Sequence, residues 1–206
     1  MGDPLRGFDP KATYDAASTD YEDASRDFWQ YMSTRTVELA APGPGETVLD
    51  VACGNGPGLL AASRAVGPTG RVIGIDFATQ MLEIAEERVR AAGAENVEVR
   101  TGDMTERPGF DIVQPWRRIG DPPTLGALAE EAGLSGFALR EDVDTLTLDT
   151  PDDWWRIVIG SGLRRTAEAL GEDTAAKVRA RCGEAMRERG IREVGLTSQY
   201  LLATHP

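Results

Sequence analysis

The stretch ETVLDVACGNGPG, residues 46–58, decides the fold of this chain. It predicts a short apolar strand that carries one acid, Asp50, and leads directly into a loop with Gly54, Gly56 and Gly58. The sequence LLAASRAV that follows has helical spacing and no helix breaker. Strand, glycine loop and helix open a nucleotide-binding βαβ unit, because bare glycine backbone lets a ligand approach and a helix N-terminus offers unpaired N–H groups. We therefore expect a ligand at this loop.

The spacing of the acid and the glycines separates two cofactor classes. A dinucleotide fold uses G-x-G-x-x-G, but here Leu59 stands at the last position and the final glycine, Gly58, comes one residue early. Asp50 lies four residues before the first glycine, where its carboxylate would repel a pyrophosphate and hold an ammonium group. Both features oppose a nicotinamide oxidoreductase and favour S-adenosylmethionine, which carries an ammonium.

Two further βα units follow the first. RVIGIDF, residues 71–77, predicts a strand that ends in Asp76, where an acid can accept hydrogen bonds from the ribose of either cofactor class. Residues 78–93 predict an amphipathic helix closed by Gly93, and NVEVRTGD predicts a third strand that ends at Gly102 and Asp103. Right-handed crossovers would order these strands 3-2-1, with the ligand outside their carboxyl ends.

Three motifs, VLDVACGNGPG, GIDFATQML and TGDM, resemble in order and spacing those of the class I S-adenosylmethionine-dependent methyltransferases, particularly the small-molecule branch with the quinone-biosynthesis C-methyltransferases. The resemblance covers residues 37–104 and implies an α/β fold with a doubly wound, Rossmann-like sheet. It also implies S-adenosylmethionine as cofactor, with the methionine part at the first loop, the ribose and adenine edge at Asp76 and Met81, and adenine at Asp103. The implied cofactor-binding residues are Asp50, Ala52, Cys53, Gly54, Asn55, Gly56, Gly58, Asp76, Phe77, Met81, Gly102, Asp103 and Met104.

We expect a single domain over residues 1–206, with a helical leader (1–45), the cofactor-binding units (46–104) and a C-terminal part (105–206). Residues 1–19 predict a loose arm, and residues 20–40 predict one or two helices. The resemblance implies that leader aromatics form walls of the substrate pocket, although rings at helical spacing more commonly pack a helix onto its sheet. The candidate wall residues are Tyr14, Tyr21, Phe28 and Trp29, together with Trp154 and Trp155 in the C-terminal part.

Residues 105–121 depart from the family pattern, because neither a Pro-Gly-Gly turn nor a fifth strand follows TGDM. FDIV, residues 110–113, predicts either a short fourth strand or part of a later segment. Three explanations are open: a contracted sheet in which the C-terminal strands pair with strand one or with FDIV, an exchange of strands in a homodimer, or an internal segment that this sequence omits between Thr105 and Pro115. Further on, the pattern predicts a helix over 122–133, a strand over 136–148, two helices over 151–190 as an insertion above the substrate mouth, and a final antiparallel strand.

Composition restricts the classes of partner. Acidic residues outnumber basic residues by 34 to 22, which gives a net charge of −12 and opposes nucleic-acid binding. The two cysteines, Cys53 and Cys182, cannot build a disulfide framework or a thiolate zinc site, and no metal is expected. No apolar window approaches the length of a membrane span, so we expect a cytoplasmic protein without a membrane partner. Cys53 predicts a small buried thiol, and Asp142 and Asp144 predict solvated charges at a strand edge.

The sequence therefore favours S-adenosylmethionine-dependent methyl transfer to a small molecule at O, N or C. The alternative is a shortened relative that binds cofactor weakly and acts as an interaction module. Neither the acceptor nor a catalytic residue is assigned by the sequence. Methyl transfer mainly requires alignment of donor and acceptor, so a dedicated base is needed only for an acceptor that is not already ionised or electron-rich.

Overall fold

A computed structural model describes residues 9–23, 28–102, 122–131, 133–134 and 136–203. Asp103, Met104, the FDIV segment and the junction between Thr105 and Pro115 lie outside these residues, as do positions 1–8 of the arm. The elements in chain order are α1 (Pro10–Asp23), α2 (Phe28–Ala40), β1 (Thr47–Val51), α3 (Pro57–Val66), β2 (Arg71–Asp76), α4 (Thr79–Ala91), β3 (Val97–Thr101), α5 (Pro122–Glu131), β4 (Ala138–Thr147), α6 (Pro151–Ile159), α7 (Arg164–Ala169), α8 (Glu172–Glu188) and β5 (Glu193–Leu202).

The first three strands form a parallel sheet in the order β1-β2-β3, which confirms the predicted order. Leu59, Ala62 and Val66 of α3 pack with Val72 of β2 and with α4 in the buried core on one face of the sheet. On the opposite face of β1, Leu49 and Val51 are 58% and 46% exposed, so the described residues leave that face uncovered. The fold is thus α/β, Rossmann-like and contracted.

The C-terminal strands form a separate sheet. β4 and β5 pair antiparallel over their full length, from Ala138 opposite Leu202 to Thr147 opposite Glu193. Within the described ranges neither strand pairs with β1. Of the contracted-sheet alternative, pairing of the C-terminal strands with β1 is thus not found among the described residues, and pairing with FDIV lies outside them. Strand exchange and an omitted segment stay predictions.

The leader contains two helices, as predicted, but its first helix begins earlier than expected. Residues 10–19 belong to α1 and not to a loose arm. Pro10 fits the first helical turn, and the Asp9 carboxylate accepts a hydrogen bond from the Ala12 N–H at 3.1 Å, so these two residues start the helix. Asp15 of α1 accepts from the backbone N–H of Gln80 at 2.9 Å, which fastens α1 to the first turn of α4.

The C-terminal insertion contains three helices where the sequence predicted two. The first of the two predicted helices breaks after Ile159, and α7 begins only at Arg164. Gly160 and Gly162 lie in this break, where glycine lowers helix stability relative to other residues. No helix in the described ranges combines the length and the apolar composition needed to cross a membrane.

The β4–β5 hairpin is fixed to α2 by polar contacts. The Arg35 guanidinium pairs with the Asp142 carboxylate, at 2.5 Å from Nε to Oδ2 and 3.3 Å from Nη2 to Oδ1. The Tyr31 hydroxyl donates to Asp144, which raises the pKa of Tyr31 to about 12, and Ser198 lies 3.2 Å from the sulfur of Met32. Asp142 and Asp144 therefore fix the hairpin to α2, and Asp144 is exposed at the strand edge, as the sequence predicted, whereas Asp142 is part-buried.

We expect the charge reversal Asp142→Arg to loosen the hairpin from α2, because two guanidinium groups would then face each other. The melting temperature should fall by roughly 2–4 °C, the range for a partly solvated ion pair. The double variant Arg35→Asp/Asp142→Arg restores opposite charges and should recover most of the loss in thermal unfolding monitored by circular dichroism. If the melting temperature of the double variant fell by the sum of the losses in the two single variants, the result would contradict this contact.

Candidate functional site

The glycine loop lies at the carboxyl ends of β1 and β2 and is folded back onto β2. The backbone N–H groups of Ala52 and Cys53 both donate to the carbonyl of Ile75, at 2.8 and 3.1 Å. Ala52 has φ of 66°, a left-handed conformation that a non-glycine residue adopts at some cost in free energy. The loop is therefore held in a specific, strained shape before any ligand binds.

Asp76 at the end of β2 holds this loop. Its side chain is buried, with 7% of its surface exposed. One carboxylate oxygen accepts from the Gly54 N–H at 2.9 Å and the other accepts from the Ala78 N–H at 2.8 Å. The same acid thus joins the loop after β1 to the start of α4, a structural role that the sequence did not predict. Its role toward a ribose stays a prediction.

Asp50 points toward the first turn of α3. Its Oδ2 atom lies 2.7 Å from the position that a Cβ atom on Gly58 would occupy, so only glycine leaves room for the carboxylate there. Burial raises the pKa of Asp50 to about 6, and the charge of Asp76 adds to the effect. A half-buried carboxylate at a bare helix start, beside a cavity whose described lining contains no lysine or arginine, is suited to a ligand with a positive group.

At the other two glycines of the loop, Gly54 and Gly56, glycine is favoured for different physical reasons. Gly56 has φ of 90°, and a Cβ atom there would lie 3.2 Å from the Cβ of Ala85 on α4. Gly54 has φ of 54°, but no atom lies within 4 Å of the position of its Cβ. Close packing against α4 therefore requires glycine at position 56, whereas at position 54 only the backbone conformation favours it.

We expect Gly56→Ala to lower the free energy of unfolding by about 2–4 kcal/mol, since left-handed strain and overpacking against Ala85 act together. Gly54→Ala is the matched control in the same loop and should lose only about 1 kcal/mol, from strain alone. Urea unfolding of both variants measures the difference. Equal losses would show that α4 does not restrict position 56.

Two cavities of 230 Å3 each meet beneath α2 at this end of the sheet. The first, which we call the loop cavity, lies between the glycine loop and the two leader helices. The second, the Asp50 cavity, includes Asp50 and Gly58 and shares Ser33 and Thr36 with the first. Neither cavity has a lysine or arginine among its described lining residues. The loop cavity is lined by Tyr21, Trp29, Met32, Ser33, Thr36, Ala52, Cys53, Gly54, Asn55 and Pro57.

Aromatic rings of the leader form one wall of the loop cavity. Tyr21 stacks on Trp29, with ring centroids 5.0 Å apart and ring planes 8° apart, and Phe28 meets Trp29 edge-on at 4.6 Å. The indole Nε1 of Trp29 is buried and has no hydrogen-bond partner among the described residues. An unsatisfied buried donor of this kind costs about 1–3 kcal/mol.

Comparison with known proteins agrees with this geometry. Residues 42–115 match the family model described as a methyltransferase domain. The chain is 35% identical over 127 residues to the aklanonic acid methyltransferase of Streptomyces sp. strain C5, covering 59% of this chain and 57% of that protein. It is 37% identical over 92 residues to the demethylmenaquinone methyltransferase of Bacillus cytotoxicus, covering 45% of this chain and 38% of that protein.

One solved structure, a SAM-dependent methyltransferase from Aquifex aeolicus, matches 78% of this chain and 86% of its own at 24% identity, with a TM-score of 0.38. The chain spans only about half the length, or less, of the two curated relatives it matches. Residues 42–115, which match the family model, contain the glycine loop, Asp50 and Asp76.

The structure brings most of the predicted residues that it describes to the carboxyl end of the parallel sheet. Phe77 follows β2 and meets the ring of Tyr14 at 6.1 Å and 83°. Burial and the charge of Asp76 raise the pKa of Tyr14. The Gly102 N–H donates to the carbonyl of Asp76 at 2.9 Å, which places the end of β3 beside β2. Met81 is 1% exposed and packs in the interior of the domain.

Cys53 is a small buried thiol, as predicted. It is 6% exposed, and burial raises its pKa to about 12. The thiol therefore stays protonated at neutral pH and does not act as a nucleophile or base.

The two C-terminal tryptophans do not line the loop cavity or the Asp50 cavity. Trp155 lines a different cavity, between α6 and α8, beside Asp152, Arg179 and Gly183. Trp154 is half-buried on α6 and lines neither the loop cavity nor the Asp50 cavity. That one of them covers the substrate stays a prediction, and α6, which carries both, packs against α1, α7 and α8.

Met32, Ser33 and Thr36 line the loop cavity but were not predicted from the sequence. Trp29, Ser33 and Thr36 stand at positions i, i+4 and i+7 of α2, so they share one helical face. That spacing is readable from the sequence. It was missed because the large apolar residues of the leader give the stronger periodic signal, whereas two hydroxyl residues on a helix are also typical of a solvated face.

An open crevice of 890 Å3 lies at the opposite end of the sheet. Its central polar side chain, Asn96, already contacts Ser63 at 2.7 Å and the carbonyl of Gly67 at 2.9 Å. This crevice is remote from the carboxyl ends of the strands, where ligands of open α/β sheets bind.

Proposed function

We propose that this protein transfers a methyl group from S-adenosylmethionine to a small-molecule acceptor. The observation that supports it best is the Asp50 carboxylate, which faces the bare first turn of α3 beside cavities without lysine or arginine among their described lining residues. Such a site attracts an ammonium group and disfavours a pyrophosphate. The family match at residues 42–115 supports the same cofactor.

The residues present suit this cofactor. Asp50 would pair with the ammonium of its methionine part, and the glycine loop would approach that part closely. Asp76 and Phe77 would lie at the ribose and adenine side.

The site supports methyl transfer by alignment and exclusion of water. When bound, S-adenosylmethionine supplies an electrophilic methyl group on a sulfonium. Tyr21 and Trp29 of the leader helices line the loop cavity, where methyl transfer would need donor and acceptor to be aligned and water to be excluded. Among the described lining residues, Cys53 holds its proton at neutral pH and no histidine or lysine is present. This set of side chains supports an acceptor that is itself easily ionised or electron-rich.

The acceptor that we propose is aromatic, polyketide-like or quinone-like. The two curated relatives are named for aklanonic acid and demethylmenaquinone. The stacked rings of Tyr21 and Trp29 offer a flat apolar surface of the kind that aromatic ligands contact.

We expect isothermal titration calorimetry to detect micromolar binding of S-adenosylhomocysteine, and no binding of NAD at the same concentration. Incubation with methyl-labelled S-adenosylmethionine and a panel of hydroxylated naphthoquinones and anthraquinones should then label one acceptor class. Absence of heat with S-adenosylhomocysteine would favour the interaction-module alternative. Binding of S-adenosylhomocysteine without labelling of any acceptor would support the proposed cofactor and contradict the proposed acceptor class.

A further inference from the structure

Helix α2 contacts the β4–β5 hairpin on one side and encloses the two cavities at the glycine loop on another. On the cavity side, Ser33 and Thr36 line both the loop cavity and the Asp50 cavity. On the hairpin side, Arg35 pairs with Asp142 of β4. Because these residues belong to one helix, a shift of α2 away from the hairpin also moves the walls of both cavities.

Apolar packing alone holds α2 weakly, since none of its residues is fully buried. Val37 in its last turn packs against the core of the parallel sheet, and Trp29 in its first turn stacks on Tyr21 of α1. The middle of the helix meets the hairpin through polar groups. The sulfur of Met32 accepts from the Ser198 hydroxyl at 3.2 Å, and Met32 also lines the loop cavity. One side chain of α2 thus contacts both the hairpin and the site.

The ion pair of Arg35 with Asp142 joins the middle of α2 to the hairpin by two hydrogen bonds, at 2.5 and 3.3 Å. The two side chains are 34% and 29% exposed, so water screens this pair less than a fully exposed one. Neither residue is among the described lining residues of the two cavities. An effect of this pair on ligand affinity therefore acts through the position of α2.

Docking of α2 and binding of a ligand in the two cavities are linked. The ligand binds molecules in which α2 is docked, so the apparent Kd equals the intrinsic Kd divided by the docked fraction. Loss of the ion pair lowers that fraction and raises the apparent Kd.

We infer that the Arg35–Asp142 ion pair is a positioning contact for cofactor binding, because it holds α2 against the hairpin in the place where this helix encloses both cavities. The inference rests on the proposed function, since the ligand concerned is the cofactor. Arg35 and Asp142 are positioning residues that act through the cavity side of α2. The hairpin then supports the cofactor site in addition to closing its own sheet.

Calorimetry with S-adenosylhomocysteine at pH 7.5 tests this on the full chain. We expect Asp142→Arg to raise the Kd roughly 3- to 10-fold, because repulsion between two guanidinium groups replaces the attraction of a partly solvated pair. Hydrogen exchange of the ligand-free variant, followed by mass spectrometry, should be faster at the amides of α2. The double variant Arg35→Asp/Asp142→Arg should recover the affinity to within about twofold of the unmodified protein.

Asp152→Arg is the matched control. It makes the same substitution in the Arg179–Asp152 ion pair, which joins α8 to α6 at 3.0 Å and includes no residue of α2, and the Kd should change by less than about twofold. Should Asp142→Arg fail to fold, Asp142→Asn removes the attraction without adding repulsion and should raise the Kd about two- to threefold.

An unchanged Kd in a folded Asp142→Arg protein would overturn the inference. So would α2 amides that exchange no faster, a double variant that binds as weakly as Asp142→Arg, or an equal loss of affinity in Asp152→Arg. If the unmodified protein does not bind S-adenosylhomocysteine, the proposed function itself fails.

Discussion

Asp50→Asn is expected to make the ligand-free protein more stable at pH 7.5 while it destroys cofactor binding. Burial raises the pKa of Asp50 to about 6 from an ordinary value of 3.8. The folded state therefore binds this proton more tightly than the unfolded chain does, and ionisation in the folded state lowers stability. This loss of folding stability from ionised Asp50 is absent below about pH 4, grows between about pH 4 and 6, and is complete above about pH 6.

The stability gain should be about 1–3 kcal/mol at pH 7.5, because a shift of roughly two pKa units corresponds to a little under 3 kcal/mol. Asparagine has nearly the same shape and cannot ionise. Urea unfolding at pH 7.5 and at pH 4 measures the effect, and the difference between variant and unmodified protein should vanish at pH 4. Asp149→Asn, at an exposed acid, controls for the change in net charge. A less stable Asp50→Asn protein at pH 7.5 would contradict the view that this carboxylate is held without a partner.

The same variant should bind S-adenosylhomocysteine at least 100-fold more weakly, since removal of one partner of a buried charge pair costs about 2–5 kcal/mol. The affinity of the unmodified protein should also fall below pH 6, where Asp50 takes up a proton. Opposite changes in stability and binding are typical of a functional residue and not of a structural one.

Asp76→Ala is expected to cause the largest loss of stability, about 3–5 kcal/mol. The buried carboxylate accepts from Gly54 and Ala78, and hydrogen bonds to a charged group contribute about 1.5–3 kcal/mol each. Its removal leaves both N–H groups without their acceptor and releases the glycine loop from β2. Urea unfolding at pH 7.5 gives the stability, and calorimetry should show no binding of S-adenosylhomocysteine.

Asp76→Asn is the matched variant, because it keeps one acceptor oxygen and should lose roughly half as much stability. It also places an amide NH2 against one of the two backbone donors. If the Asp76→Ala and Asp76→Asn proteins had equal free energies of unfolding, both within about 1 kcal/mol of the unmodified protein, Asp76 would not be holding the loop.

The sequence predicted the parallel units and the loop because their signals are local. A run of apolar residues predicted β2, helical spacing of apolar residues predicted α4, and the glycines predicted the turn after β1. The position of Asp50 toward Gly58 followed from the same stretch, because only a few residues separate the acid from the helix start.

The contacts of the leader and the hairpin could not be predicted in this way. Asp15 reaches Gln80, and Arg35 reaches Asp142, across 65 and 107 residues of chain. A charged residue on a helix surface looks the same in sequence whether it is solvated or paired with a distant strand. The break after Ile159 was missed for a different reason, since glycine within an apolar helical pattern lowers helix stability without defining where the helix stops.

A crystal structure of the protein with S-adenosylhomocysteine would show directly whether Asp50 receives the cofactor's ammonium group. We predict that this ammonium lies within about 3 Å of the Asp50 carboxylate, the distance of a charge-assisted hydrogen bond, beside the first turn of α3. A ligand bound in the crevice around Asn96 at the opposite end of the sheet, or an ammonium turned away from Asp50, would contradict this binding mode.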